Sequence, residues 1–190
     1  MKQILTTIFV GIFLASLIGC GGNSAPDLTQ SLPVANFVMF NGADFSIQHP
    51  KDWKIKKDEQ LDSELRKTIQ VALISNFKDP FFTPVITVEK IGVAEGTTSL
   101  KFAEGMVSKN ESGLVGYEEV ERKDIVLSGA QTLFVRFRGK EKLQDNVLEF
   151  LQVYLVKGTS GFIVTGAYDP FDDDSEVVKI AQSLESFLLK

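Results

Sequence analysis

The segment Val147–Val156 restricts the fold of this chain most strongly, because it is apolar on both sides of a predicted strand. Side chains alternate between the two faces of a strand, so odd and even positions have different neighbours. The odd and even positions supply two apolar sets: Val147, Leu151, Val153 and Leu155 on one face, and Leu148, Phe150, Tyr154 and Val156 on the other. A strand with two apolar faces requires a covering layer on each of them.

Other short runs rich in β-branched and aromatic residues predict further strands. They are Phe37–Phe40, Phe45–Ile47, Ile69–Ser75, Val85–Ile91, Tyr117–Leu127, Thr132–Arg138 and Gly161–Tyr168. Asn41-Gly42 is a strong hairpin signal between the first two runs. His49-Pro50 is expected to end strand pairing there, because proline has no N–H to donate. The last four strands are joined by short connections, which predict an antiparallel meander: Ser128-Gly129-Ala130, Gly139–Asn146 and Lys157–Ser160.

Two segments change to helical spacing. In Ser99–Lys109 the apolar residues recur every three or four positions, and Ser99 is a candidate N-cap. A second apolar stripe predicts a helix near Asp173–Leu189. These helices are the obvious covers for the two apolar faces. The sequence therefore predicts an α+β fold in which an antiparallel sheet of about six strands is sandwiched between helices.

The beginning of the chain predicts an exported and lipid-anchored protein. Lys2 and the apolar run that follows are typical of a secretory signal peptide, and the run is shorter than the roughly 20 residues of a membrane-spanning helix. Leu17-Ile18-Gly19-Cys20 resembles the lipobox of bacterial lipoproteins, which implies acylation of Cys20. We therefore expect a signal peptide at 1–19, a linker at 20–35 and one globular domain at 36–190. Gly21 favours the periplasmic face of an outer membrane, or the outer face of the plasma membrane if the cell has only one.

Composition excludes several functional classes. The formal net charge is −5 and there is no basic stripe, which argues against a nucleic-acid partner. Cys20 is the single cysteine and His49 the single histidine, so the sequence offers neither a histidine-based catalytic centre nor a zinc site. We therefore predict no enzymatic activity, no catalytic residues, no metal and no cofactor. We interpret Trp53 as a core residue rather than as a ring on which a sugar stacks, and the lysines from Lys51 to Lys57 as a solvated face.

Several short motifs resemble the PsbP family, named for the extrinsic photosystem II protein. They are Phe45-Ser46-Ile47-Gln48-His49-Pro50-Lys51-Asp52-Trp53, Val85–Ile91, Tyr117 before a long strand, Leu127-Ser128-Gly129 at a turn, and Ile180-Ala181-Gln182-Ser183. The resemblance spans residues 36 to 190 and implies the fold of that family. The histidines associated with metal in plant members have no counterparts in this chain.

Two further segments carry functional hypotheses. Phe81-Phe82 lies between Pro80 and Pro84 in a strand connection, where two adjacent aromatic residues cannot easily both point inward. One buried and one exposed ring is the plain interpretation, and a docking loop for a protein partner or a lipid interface is the alternative. Five carboxylates lie in Asp169–Glu176. Helix capping by Asp172 or Asp173, with Glu176 reaching back to the cap, is favoured there over a calcium site.

The sequence therefore favours a lipid-anchored, non-catalytic binding or assembly module for a membrane-associated protein complex. Two alternatives remain open at this point. One is a hydrolase that uses two carboxylates and acts on an envelope polymer. The other is a PsbP homologue associated with photosystem II.

Overall fold

The computed structural model describes residues 36–57, 60–61, 67–77, 81–172 and 174–190. The predicted signal peptide, Cys20 and the linker lie outside these residues, so the lipid anchor stays a prediction. Within the described part, the secondary structure consists of two sheets and two helices.

The larger sheet has seven antiparallel strands. In spatial order they are β3 (Lys54–Lys57), β4 (Ile69–Ile74), β5 (Val85–Gly92), β9 (Ser160–Tyr168), β8 (Leu148–Lys157), β7 (Ala130–Lys140) and β6 (Val115–Leu127). The strands β6 to β9 follow one another as the predicted meander, and β5 pairs with β9 along eight residues. The strand β3 was not predicted, because it is a four-residue edge strand whose residues are all exposed. Its lysines form a solvated face, as expected.

The two faces of the larger sheet are covered by different elements. Helix α1 (Ser99–Gly113) packs on β7 and β8 over one core, which contains Phe150, Tyr154 and Val156. Helix α2 (Asp174–Glu185) covers the opposite face, where the core contains Leu151, Val153 and Leu155. The prediction that β8 needs cover on both faces is therefore confirmed, and so is the α+β sandwich.

The smaller sheet, in the order β1-β2-β10, shares the second face with α2. It consists of β1 (Phe37–Asn41), β2 (Phe45–Pro50) and β10 (Leu188–Leu189). Its inner side adds Phe40, Phe45 and Ile47 to the core, where Trp53 is also buried, as predicted.

The hairpin predicted at Asn41-Gly42 is confirmed, but the expectation that His49-Pro50 ends the pairing is wrong. His49 pairs with Val38 and Pro50 with Phe37. The next pair is closed by a hydrogen bond from the Lys51 N–H to the Asn36 carbonyl oxygen, 2.7 Å. In an antiparallel ladder, bonded and non-bonded pairs alternate, so the nitrogen of Pro50 points away from β1 and no donor is needed there.

Both helices end at a different residue from the one predicted: α1 begins at Ser99 as expected but continues past Lys109 to Gly113. Thr98, not Ser99, caps α1 by accepting a hydrogen bond from the Lys101 N–H. The buried Ser99 hydroxyl instead accepts from the Val156 N–H, 2.9 Å, and fixes the start of α1 to β8. Helix α2 ends at Glu185 rather than continuing to Leu189, because Phe187 is buried against the Phe45 ring and the next two residues pair with β2.

The turn between β6 and β7 contains two residues, Ser128 and Gly129, rather than the three predicted. Both have positive φ, 51° and 78°. This conformation matches the twist of a two-residue hairpin and favours glycine at the second position. Ser128 remains because its hydroxyl accepts a hydrogen bond from the Leu189 N–H, 2.9 Å, so this turn also holds the end of the chain.

Candidate functional site

Three neighbouring loops meet at one end of the larger sheet, which we call the proximal end. They are loop 75–84 between β4 and β5, loop 141–147 between β7 and β8, and loop 169–173 after β9. The register places them together, because Ile74 pairs with Val85, Val85 with Ala167, and Tyr168 with Glu149. The opposite, distal end carries the tight turns at 42–44, 128–129 and 158–159.

A groove of about 620 Å³ opens at the proximal end, on the sheet face that α1 covers further along. Its walls come from loop 75–84 and loop 141–147, and its floor comes from β5, β9 and β8. The floor residues are Val85, Thr87, Thr165, Ala167, Leu148 and Phe150, and the polar rim contains Lys140, Glu141, Gln144, Asp145 and Asn146. A volume of this size is in the range of sites that bind small molecules or short segments.

Phe81 and Phe82, the candidate docking residues from the sequence, both line this groove. The side chain of Phe81 is 69% exposed, while Phe82 is half-buried. This arrangement agrees with one inward and one outward ring. It also puts an exposed aromatic side chain at the mouth of a concave surface, where a bound partner would cover it. Whether the loop docks on a partner stays a prediction.

The groove floor is tied to α1 by a chain of hydrogen-bonded side chains. The Asn110 amide donates to Gln152 Oε1 (2.8 Å), and Gln152 Nε2 donates to the hydroxyl of Thr165 (2.8 Å). The Tyr154 hydroxyl donates to the same Gln152 oxygen (2.6 Å). Burial raises the pKa of Tyr154, so it stays a neutral donor. This network holds Thr165 in a fixed position, because each member is oriented by the next.

Sequence reasoning missed this network, because its members come from α1, β8 and β9 and meet only through the strand order. The available signal was weak: Gln152 and Thr165 are polar residues inside otherwise apolar strands.

Beneath the loops, on the face that α2 covers, lies a buried charged cluster that the sequence analysis also missed. Glu149 is fully buried and accepts hydrogen bonds from the Arg136 guanidinium, from Arg138 Nε (2.6 Å) and from the Tyr168 hydroxyl (2.5 Å). Burial alone would raise the pKa of Glu149. The hydrogen bonds from Tyr168 and Arg138 and the charge of Arg136 outweigh this effect and hold the pKa below its usual value.

The cluster joins the strand ends from which the loops of the proximal end emerge. Arg138 lies at the end of β7, Glu149 at the start of β8 and Tyr168 at the end of β9. It therefore fixes the geometry of loop 141–147 and of the chain leading into α2. The signal in the sequence was the presence of charges at inward-facing positions of two strands, β7 and β8, that are otherwise largely apolar.

The carboxylates of the described residues are dispersed. Glu141 and Asp145 are exposed on the groove rim. Burial raises the pKa of Glu89 on β5 and of Glu185 on α2, with Lys109 and Lys123 opposing the shift, and neither residue lines the groove. Within the part of the chain that the structure describes, no group of three His, Cys, Asp or Glu side chains is placed to hold a metal ion.

The acidic run before α2 is partly visible. Asp169 and Asp172 stabilise the turn: the Asp169 N–H donates to Asp172 Oδ2, and the Phe171 N–H donates to Asp169 Oδ1, both at 2.9 Å. Glu176 is buried, and its carboxylate accepts from Lys179 within α2 (2.5 Å) and from the Ser75 hydroxyl (2.8 Å), a contact that ties α2 to the residue after β4. Neither contact is the hydrogen bond expected in a capping box, in which Glu176 would reach back to the backbone N–H of the capping residue. Of the two expected caps, Asp172 and Asp173, the second lies outside the described residues, so capping of α2 by this run stays a prediction.

A second concave surface of about 730 Å³ lies at the distal end, between the β1–β2 turn and β3. Lys57 lies over the Phe40 ring there, 5.3 Å from its centre. The described residues that line this surface include neither an exposed aromatic loop nor an ordered polar network like that of the proximal groove, so we place the candidate site at the proximal end.

The arrangement of sheets and helices is that of PsbP-like proteins. The solution structure of cyanobacterial PsbP (CyanoP) from Synechocystis matches with a TM-score of 0.56 at 11% identity, over 92% of this chain and 99% of that one. The crystal structure of LpqN from Mycobacterium tuberculosis, described as involved in cell envelope biogenesis, matches with a TM-score of 0.51 at 14% identity, over 81% and 90%.

No family model and no curated protein matches the sequence. The likeness to the two solved structures confirms, at the level of the fold, the resemblance read from the short motifs. No described helix has the length and apolar character needed to cross a membrane.

Proposed function

We propose that this protein is a lipid-anchored, non-catalytic module of the cell envelope that binds a membrane-associated protein complex through the proximal groove. The observation that carries the proposal is the exposed Phe81 ring over a groove whose floor is held by the Asn110–Gln152–Thr165 network. A preformed floor and an exposed aromatic anchor are typical of binding sites, since aromatic residues dominate the energy of interfaces.

An uncharged segment of polypeptide fits this lining as the ligand. Phe82, Leu148 and Phe150 offer apolar contacts, while the hydroxyls of Thr87 and Thr165 on the floor offer hydrogen-bonding groups. The charges of Lys140, Glu141 and Asp145 lie on the rim, where ion pairs are screened by water and salt. The likeness to CyanoP and LpqN supports an exported, envelope-associated setting for such a module.

A site-specific photocross-linker tests the groove. We expect p-benzoylphenylalanine at position 81 to give one discrete protein adduct in native membranes. The same residue at position 126 is the control, because Val126 is 70% exposed at the distal end. We expect Thr165→Lys to abolish the adduct by filling the floor, whereas Thr159→Lys, on an exposed distal turn, leaves it intact. Equal adducts at both positions, or an adduct that survives Thr165→Lys, would contradict the proposal.

The lipid anchor has its own test. Metabolic labelling with a palmitate analogue in a bacterial host should mark the wild-type chain and not the Cys20→Ala variant. Equal labelling of both chains, or no labelling of either, would contradict acylation of Cys20.

A photosystem II-associated role is the second candidate, and the likeness to CyanoP is the observation that favours it. The genome that encodes this chain discriminates between the two candidates. If it lacks the reaction-centre genes of photosystem II, this second role is excluded and the envelope role remains.

A further inference from the structure

The loops of the proximal end carry large apolar side chains that project into solvent. Phe171 on loop 169–173 is 94% exposed, Leu143 on loop 141–147 is 76% exposed, and Phe77 on loop 75–84 is 42% exposed. The parent strands β4, β5, β9, β8 and β7 are consecutive in the sheet. The three side chains therefore stand on adjacent loops at a single end of the molecule. Scattered exposed apolar residues are normal, but three on neighbouring loop tips mark a contact surface.

The described chain also begins at the proximal end. The Asn36 carbonyl oxygen accepts a hydrogen bond from the Lys51 N–H, and the backbone of neighbouring Asp52 accepts one from Asn76 on loop 75–84. Asn36 is therefore close to Phe77. It lies 16 positions after Cys20 (36 − 20) in the sequence.

The length of this connection determines which end of the domain faces the membrane. A linker with the Gly- and Ser-containing composition predicted at 20–35 spans on average about 20–24 Å over 16 residues. The ten-residue strand β8 is about 33 Å long at 3.3 Å per residue. An anchor that joins the domain at the proximal end therefore keeps this end nearer to the bilayer than the distal end.

We propose that the proximal end is a second membrane contact, in which Phe171, Leu143 and Phe77 insert into the interface of a zwitterionic lipid bilayer. The inference rests on the lipid anchor of the proposed function and adds an orientation and a lipid class to it. Tethering gives the loops an effective concentration at the bilayer in the millimolar range, so that a weak contact is populated.

The charges around the three side chains select the lipid class. The described basic residues at this end include Lys51, Lys54, Arg138, Lys140 and Lys142, and the acidic ones include Asp52, Glu118, Glu141, Asp145, Glu149, Asp169, Asp172 and Asp174, while Glu176 is paired with Lys179. Because acids outnumber bases, anionic lipids are repelled and the attraction comes from apolar burial. The occupant is therefore a neutral surface of phosphatidylcholine or phosphatidylethanolamine.

Tryptophan scanning on the acylated full-length protein tests this contact. The natural tryptophan, Trp53, is buried and gives a constant background in every variant. We would place new tryptophans by Phe171→Trp and Leu143→Trp at the proximal end, and by Val126→Trp at the distal end as the control, since Val126 is also mostly exposed, at 70%. The purified proteins are incorporated into phosphatidylcholine vesicles whose acyl chains carry bromine, which quenches tryptophan only at contact distance.

We expect the added emission of Phe171→Trp and Leu143→Trp to be lost in the brominated vesicles, and that of Val126→Trp to persist. Replacing part of the phosphatidylcholine with phosphatidylglycerol at low salt should weaken the quenching, and stronger quenching would refute the lipid class. Equal quenching at all three positions, or none at the two proximal positions, overturns the membrane contact. If the protein does not sediment with vesicles at all, the anchor itself is wrong. If the protein sediments with the vesicles but the emission of the two proximal tryptophans is not quenched, this inference alone is refuted and the proposed function is unaffected.

Discussion

Glu149→Gln is the substitution that most directly tests how the proximal end is held together. Glutamine keeps the shape of the side chain but removes its charge, so the buried Arg136 guanidinium loses its counter-ion. Among the described residues, Arg136 Nη1 already has no hydrogen-bond partner. No second carboxylate is available to take over this role in the cluster as described.

The size of the expected loss of stability follows from the burial of the Arg136–Glu149 pair. Removing one partner of a buried ion pair costs about 3–5 kcal/mol, because the other charge is left uncompensated. The Arg138 side chain is 39% exposed, so its pair with Glu149 contributes at most about 1 kcal/mol. The Arg136 pair therefore accounts for most of the loss. For a domain of this size, about 2–4 °C per kcal/mol gives a fall in Tm of about 6–20 °C.

Urea unfolding of the described domain within the full chain measures this loss. Trp53 fluorescence and far-ultraviolet circular dichroism should give coincident transitions, with a lower midpoint and an unchanged slope for Glu149→Gln. Arg138→Gln is the matched control and should cost about 1 kcal/mol or less. The triple variant Arg136→Met/Glu149→Leu/Tyr168→Phe, which also removes the buried hydroxyl that donates to Glu149, should recover most of the stability, since apolar replacement of a buried pair is often neutral or stabilising. A loss below about 1 kcal/mol for Glu149→Gln, or no recovery in the triple variant, would refute the reasoning.

The pH dependence of stability provides a second test of the role of Glu149. The pKa of Glu149 is lower in the folded protein than its ordinary value of 4.5. Its contribution to the free energy of unfolding is therefore fully present above pH 4.5 and is lost as the pH falls through the lower, folded-state value. Glu149→Gln lacks this contribution. The difference in stability between wild type and variant should therefore narrow on acidification below pH 4.5, and a constant difference down to pH 2 would contradict the assignment.

Three further substitutions test the packing of the two helices, each by thermal and urea unfolding. Gly166→Val should lower the free energy of unfolding by about 1–3 kcal/mol or more. The reason is that a Cβ there would lie 2.0 Å from Ile180 Cγ2 of α2. If the variant kept wild-type stability, α2 would have to be free to move away. Gly105→Ala on the exposed side of α1 meets nothing within 4 Å and should stabilise by about 1 kcal/mol, while a loss would mean that this face is covered. Thr98→Ala should cost about 1 kcal/mol by removing the N-cap of α1, and no change would show that Thr98 is not the functional cap.

The elements that were predictable from sequence are those whose pattern is local. The double apolar face of β8 and the Asn41-Gly42 hairpin depend on neighbouring residues, and both are confirmed. The strand β3 has no apolar alternation, since all of its residues are exposed at a sheet edge. The two-residue strand β10 exists only because β2 is already in place to pair with it.

The candidate site likewise contains residues that a local sequence pattern pointed to and residues that only the fold brings together. Phe81 and Phe82 stood out because adjacent aromatic residues in a proline-bracketed loop are unusual in any fold. The groove floor and the Glu149 cluster depend on the strand order β5-β9-β8-β7, which brings distant segments together. Gln152 meets Thr165 and Glu149 meets Tyr168 only through the register of β8 and β9. Single residues of these sets give only a weak signal, a polar or charged side chain in an apolar strand, and their partners are defined only once the pairing of the strands is known.

The smaller sheet has a consequence for the order in which the molecule can assemble. Its hairpin is made by the first strands of the domain, but Lys190 closes it by donating from Nζ to the Gly42 carbonyl oxygen across 148 positions of sequence. The Lys190 N–H also donates to the Asp44 carbonyl oxygen, 2.9 Å. Contacts of such separation form late, because the intervening chain must first be ordered. The β1–β2 hairpin can therefore form early as a two-stranded unit, and its third strand joins it only after the larger sheet and α2 are in place.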